Sequence, residues 1–154
     1  MPRPHRCPHT RPRPPAAPLP RALHSTDAAL AVVHAALGPA PGCVVVLPLD
    51  ARHEGGRAIC VDDVPRDDAV LEVVDLVLAA HAATDSALRA LVVGSRRAAP
   101  VAWPTTDDWW CYAAMAERCE AAGVTLLDWV LAGTQGALSL AELDGRSESR
   151  WWPA

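Results

Sequence analysis

The chain has no lysine anywhere in its 154 residues, so all of its fixed positive charge is arginine. With abundant Ala and Pro, this reads as a high-GC coding bias rather than as a functional signal. No apolar run reaches the roughly 18 residues that a membrane helix needs. No apolar stretch follows the charged N-terminus, so neither a signal peptide nor membrane insertion is expected, and a cytoplasmic location is. Cys7, Cys43, Cys60, Cys111 and Cys119 form no Cys-x-x-Cys pair. Their odd number and wide spacing point to buried, reduced thiols rather than a disulfide framework or a zinc site. No internal repeat is visible.

What is present is unevenly distributed. Arg3, Arg6, Arg11, Arg13 and Arg21 fall in the first 21 residues, which contain no acid. They are five of 14 basic residues, so the remainder carries nine against 18 acidic ones. Proline stands at positions 2, 4, 8, 12, 14, 15, 18 and 20. Proline this dense prevents a packed core, so residues 1–24 are expected to be a disordered arm. A basic arm on an acidic domain could contact nucleic acid or fold back on its own domain. Residues 144–154 read as a frayed tail, leaving 25–143 as one domain of about half apolar composition.

Within that domain the elements alternate. Ser25 or Thr26 can cap a short helix carrying Leu30, Val33 and Leu37, ended by Gly38-Pro39. The run Cys43 to Leu49 is continuous and β-branched, as in a strand buried on both faces. A turn from Asp50 to Gly56 leads to a second, antiparallel strand over 57–64. Pro65-Arg66-Asp67-Asp68 opens a helix with a stripe of Val70, Leu71, Val74, Val77 and Leu78, ending near Ala83. A strand over 88–93 and a loop over 94–106 follow. The next helix is capped by Thr105 or Thr106, has a core stripe of Cys111, Met115, Cys119 and Ala122, and stops at Gly123. Strands over 124–132 and 137–140 turn through Gly133-Thr134-Gln135-Gly136. This order predicts an α/β fold, a mixed sheet flanked by helices.

The sequence Leu91-Val92-Val93-Gly94-Ser95-Arg96-Arg97 is followed by seven residues and then by Thr105-Thr106-Asp107-Asp108. A helix and Leu126-Leu127-Asp128-Trp129 come next. The order and spacing resemble the RadC-like branch of the JAB/MPN metalloprotease family, in which His-x-His precedes Ser-x-x-Asp by seven residues. Leu47-Pro48-Leu49-Asp50-Ala51-Arg52, Pro65-Arg66-Asp67, and Gly133 followed by Ser139-Leu140 agree with it. The resemblance covers residues 42–142 and implies a JAB/MPN-like domain with cytidine-deaminase-like layering. In that family the two histidines and the aspartate hold zinc, a glutamate near the first strand activates the bound water, and the serine helps hold the oxyanion.

Here Ser95 and Arg97 stand in the histidine positions, Thr105 in the serine position and Asp108 in the aspartate position. No acid precedes Asp50 near Gly42-Cys43, and Trp129 stands where the family continues with histidine. Zinc requires deprotonated donors and one open position. A guanidinium has no lone pair to give and keeps its proton. Ser95, Arg97, Thr105 and Asp108 are therefore read as a vestigial site, with no catalytic residue, no metal and no cofactor. Asp108 is expected to cap its helix and to pair with Arg97 or Arg96. Trp103, Trp109 and Trp110 fill the vacated cleft, form an interaction surface for a protein partner, or simply pack against the arm or tail. His53 is expected to be solvated in its turn, and His81 to be a helix-end histidine. The expected role is an inactive binding module. The alternatives are a zinc hydrolase with ligands relocated to Asp108 and His81 or His53, and a nucleic-acid-associated protein acting through its arm.

Overall fold

The computed structural model describes residues 22–55, 57–84 and 86–146. Of the expected arm, 1–24, residues 1–21 lie outside them, as does the expected tail, 144–154, beyond 146; Leu23, assigned to the arm, is instead part of the core. In chain order the elements are α1 (Thr26–Ala36), β1 (Val44–Leu49), β2 (Ile59–Val61), a 3-10 turn (Asp67–Ala69), α2 (Val70–Thr84), β3 (Ala90–Arg96), α3 (Thr106–Ala121), β4 (Thr125–Ala132), β5 (Ala137–Ser139) and α4 (Leu140–Leu143). The strands form one mixed sheet in the order β2-β1-β3-β4-β5. Only β3 and β4 run parallel; the other neighbours are antiparallel. The protein is therefore α/β, as the element order predicts.

The sheet separates two apolar layers, which is why its central strands read as unbroken apolar runs. Val44, Val46, Leu91, Val93, Trp129 and Leu131 face α2 and α3. Val45, Leu47, Val92 and Val130 face α1, with Val33 and Leu37 among their neighbours. The Ser25 hydroxyl accepts from the Ala28 N–H at 3.2 Å and starts α1. Leu23, just before that cap, is buried in the α1 layer, and its N–H donates to the His53 carbonyl at 2.9 Å.

Several boundaries differ from expectation. Strand β3 does not stop at Val93 but runs on through Gly94, Ser95 and Arg96, all paired to β4 and all buried. Gly94 makes this possible, because a Cβ there would lie 2.2 Å from Val33 Cγ1 of α1. The second strand is only three residues, edge-placed and largely exposed. Leu140 opens α4 rather than ending β5. Ala122 is the exposed C-cap of α3, so the core stripe ends at Cys119. His53 is buried, not solvated, and its φ is +56°. Burial holds its imidazole below the usual histidine pKa, with His24 acting in the same direction. Cys60 is exposed, unlike Cys43, Cys111 and Cys119.

The turn after β4 is held against the loop that follows β3. Thr134 N–H donates to Ala99 O and Gln135 N–H to Pro100 O, both at 2.9 Å. Gly133 lies so close that a Cβ would sit 2.3 Å from Pro100 O and 2.6 Å from Ala99 O. A backbone oxygen cannot step aside as a side chain can. Gly133→Ala is therefore expected to lower stability by about 1–3 kcal/mol. Gly136→Ala, where a Cβ meets nothing within 4 Å, is expected to stay within about 0.5 kcal/mol of wild type. Urea unfolding of the two variants checks the difference.

Candidate functional site

The positions that the family spacing singles out lie at the C-terminal end of β3 and the N-terminal end of α3. Thr105 is the N-cap of α3: its hydroxyl accepts from the Asp108 N–H at 3.3 Å. Asp108 answers reciprocally, its Oδ2 accepting from the Thr105 N–H at 2.7 Å and from the Thr105 hydroxyl at 2.8 Å. This is a capping box with aspartate in the third helical position. It satisfies helix-end donors and places a carboxylate at the positive end of the helix.

Arg97 closes the other side of that carboxylate. Its N–H is fixed on Ala132 O at 2.9 Å, one residue beyond the end of β3. The guanidinium then forks onto Asp108: Nη1 donates to Oδ2 at 2.9 Å, and Nη2 donates to Oδ1. The side chains are 13% and 3% exposed, so this is a largely buried ion pair. Two parallel bonds to one carboxylate are a geometry that guanidinium offers and ammonium does not. Burial pushes the Asp108 carboxyl upward, but the Arg97 bonds and the two Thr105 donors outweigh it. Its pKa therefore lies below the usual aspartate value.

Ser95 is turned to another use. Its hydroxyl accepts from the indole Nε1–H of Trp129 at 2.9 Å, and Trp129 is fully buried. A large indole thus packs beside Ser95, and the hydrogen bond satisfies its only donor. Arg96 points to the α1 side of the sheet, where Nε donates to Gly38 O at 3.2 Å and Nη1 to Gly133 O. It is a structural tie and does not reach Asp108.

The donor set does not fit zinc. Both Asp108 oxygens already accept from cationic or helix-cap donors, a guanidinium occupies one ligand position, and the Ser95 hydroxyl is committed to Trp129. His81 is half-buried at the end of α2 and bonds Ser86 Oγ through Nδ1 at 2.6 Å. His53 lies in the β1–β2 turn. Among the described residues no group of three His, Cys, Asp or Glu side chains could hold a metal ion. The buried thiols among the described residues are not activated either. Burial raises the pKa of Cys43 and Cys111, and that of Cys119 to about 11. A groove of about 370 Å³ lined by Ala116, Glu120, Val124 and Thr125 lies by the start of β4, at the other end of that strand, with Glu120 as its one ionisable residue.

The three tryptophans divide. Trp109 is half-buried against the α2–α3 layer and meets Tyr112 edge-on at 6.1 Å. Trp103 is 66% exposed and Trp110 is 73% exposed. Neither of these two fills a cleft.

Sequence reasoning passed over Asp128, whose part was only to support a motif. It is fully buried on β4, with Oδ1 accepting from the Ala141 N–H at 3.1 Å. Oδ2 has no hydrogen-bond partner among the described residues. The β3–β4 register slips beside it, leaving Leu127 without a partner. Burial raises the Asp128 pKa, outweighing the neighbouring donors of Ser139, Ala141 and Trp129, and Glu142 adds to the rise. An aspartate in an apolar strand was the available signal. No protein-family model and no curated protein matches the chain.

Two outcomes are expected. Arg97→Ala leaves Asp108 with its Thr105 donors, so its cost should fall between the exposed-pair and buried-pair limits, at about 2–3 kcal/mol. Adding Asp108→Ala should cost less than the sum of the two, with a coupling of about 1–3 kcal/mol in a double-mutant cycle. Additivity would mean that the pair contributes nothing jointly. Asp128 has the opposite pH signature to Asp108. A raised folded pKa gives stability that is complete below the unfolded value of 3.8 and is lost as pH rises through the folded value. The melting temperature of Asp128→Asn relative to wild type should therefore climb as pH rises above about 4, until the folded carboxyl is ionised. A constant difference would show that the carboxyl titrates alike in both states.

Proposed function

We propose that this domain is a catalytically inactive relative of the RadC-like JAB/MPN proteins and works as a binding module. The observation that carries the reading is the Arg97 fork on Asp108. A hydrolase of that family depends on a metal-bound water at an open coordination position, its pKa lowered to about 7. The carboxylate kept by the spacing instead neutralises a fixed guanidinium, and the Ser95 hydroxyl is the acceptor of a buried indole. These groups give the end of the sheet a fixed shape and leave no base or nucleophile poised on a substrate. Exposed Trp103 and Trp110 beside it supply what a binding surface needs, since large rigid aromatics dominate contact energetics.

Metal content tests the proposal. Purified chain dialysed against a mild chelator is expected to retain no stoichiometric zinc. One equivalent per chain would overturn the reading in favour of a metallohydrolase with relocated ligands. The restoring variant Ser95→His, Arg97→His, Trp129→His returns histidine to the family positions with Asp108 in place. If its circular dichroism matches wild type, it is expected to take up one zinc per chain. A folded variant with no affinity for zinc would remove the family relationship.

A further inference from the structure

The side of α3 away from the core carries an ordered stripe. Its buried residues are Asp108, Cys111, Tyr112, Met115 and Cys119. Asp107, Trp110, Ala113 and Glu117 are exposed, spaced by three or four and so aligned on one helical face. Trp103, in the segment leading into the helix, is a second exposed indole. The stripe therefore carries an indole flanked by the acids Asp107 and Glu117, with the small Ala113 between. Neighbouring α2 adds exposed acids at Glu72 and Asp75, the latter paired with Arg118.

Such a surface selects a particular chemistry. Proline rings and guanidinium planes both stack on indole faces, and the acids take the guanidinium charge. A proline-rich strand is already extended, so it loses little freedom on docking to aromatics. The chain holds one stretch of that composition: residues 1–21, with eight prolines, five arginines and no acid. Its charge is complementary to that of the remainder, in which acids outnumber basic residues 18 to nine.

Reach is sufficient. The described chain starts beside Leu23, tied to His53 at the β1–β2 turn, and Leu49 of β1 pairs with Ala90 at the start of β3. The arm root is thus at the end of β3 opposite Arg97. In extended polyproline form 21 residues span about 65 Å. The seven residues of β3 span only about 20 Å.

The geometry points to the outer face of α3, from Trp103 and Asp107 through Trp110 to Glu117, as a docking surface for a proline- and arginine-rich segment, whose occupant is residues 1–21 of this same chain. This rests on the reading of the domain as a binding module and names what it binds. A tethered occupant acts at about millimolar effective concentration, so an outside ligand of similar chemistry must displace it.

The test uses the full chain. With Cys60→Ser, the thiols left among the described residues are buried, so a nitroxide reagent reaches Cys7. The indole N–H signals of Trp103 and Trp110 are then compared with the label oxidised and reduced. Both are expected to be broadened away at low salt and to return at high salt. The loss should be unchanged when labelled chain is diluted into excess unlabelled chain. Signals that survive at low salt overturn the proposal. So does broadening that disappears on dilution, which would place the arm on a second copy. Zinc content of the same preparation reads the module proposal separately: an undocked arm with no zinc leaves the module standing, and retained zinc removes it wherever the arm lies.

Discussion

Asp108 brings a negative charge to a place where only 3% of its side chain meets solvent. A carboxylate that deep must be neutralised or protonated, because its hydration is lost. The chain answers with the Thr105 cap and the Arg97 fork together. The arrangement around it follows. The residue after β3 must hold its backbone on Ala132 to aim the guanidinium, and the loop from 98 to 104 must arch over to deliver Thr105. That loop rests on the β4–β5 turn, where Gly133 leaves no room for a side chain. One buried charge thus fixes the meeting point of β3, α3 and β4.

The same end of the sheet is filled by side chains that bond one another. Ser95 and Trp129 share a hydrogen bond across neighbouring parallel strands, and the indole fills volume on the α2–α3 side. Polar groups that a reactive centre would keep free are each assigned a partner inside the protein. What stays exposed is aromatic and acidic, on the outer side of α3 rather than in a cleft. Flat, rigid side chains of that kind are the ones that dominate contact energetics where a surface is bound.

Much of this was legible in the chain itself. The β-branched run at 43–49, the capping residues Ser25 and Thr105 and the stripe Cys111, Met115, Cys119 report directly on burial and helix ends. The Arg97–Asp108 pair was legible because spacing brought a fixed cation and a helix-start acid together. The misses have physical causes. Gly94 reads as a breaker, but it is a contact surface for Val33, so β3 continued past it. His53 lies in a turn, yet Leu23 packs back over that turn and buries it. Asp128, an acid in an apolar strand, signals burial but not which groups its carboxyl meets. Periodicity places a side chain on a face but not against its neighbours.

Arg96 carries a consequence of a different order. Its guanidinium bridges Gly38 O, after α1, and Gly133 O, after β4, joining chain segments 95 positions apart. The first bond needs β3 set against the segment after α1, and the second needs β3 beside the end of β4, so each depends on long-range assembly. Arg96 is thus a tie between distant segments of the chain. A chain that builds all of its positive charge from arginine gains here a planar group able to serve two carbonyls at once.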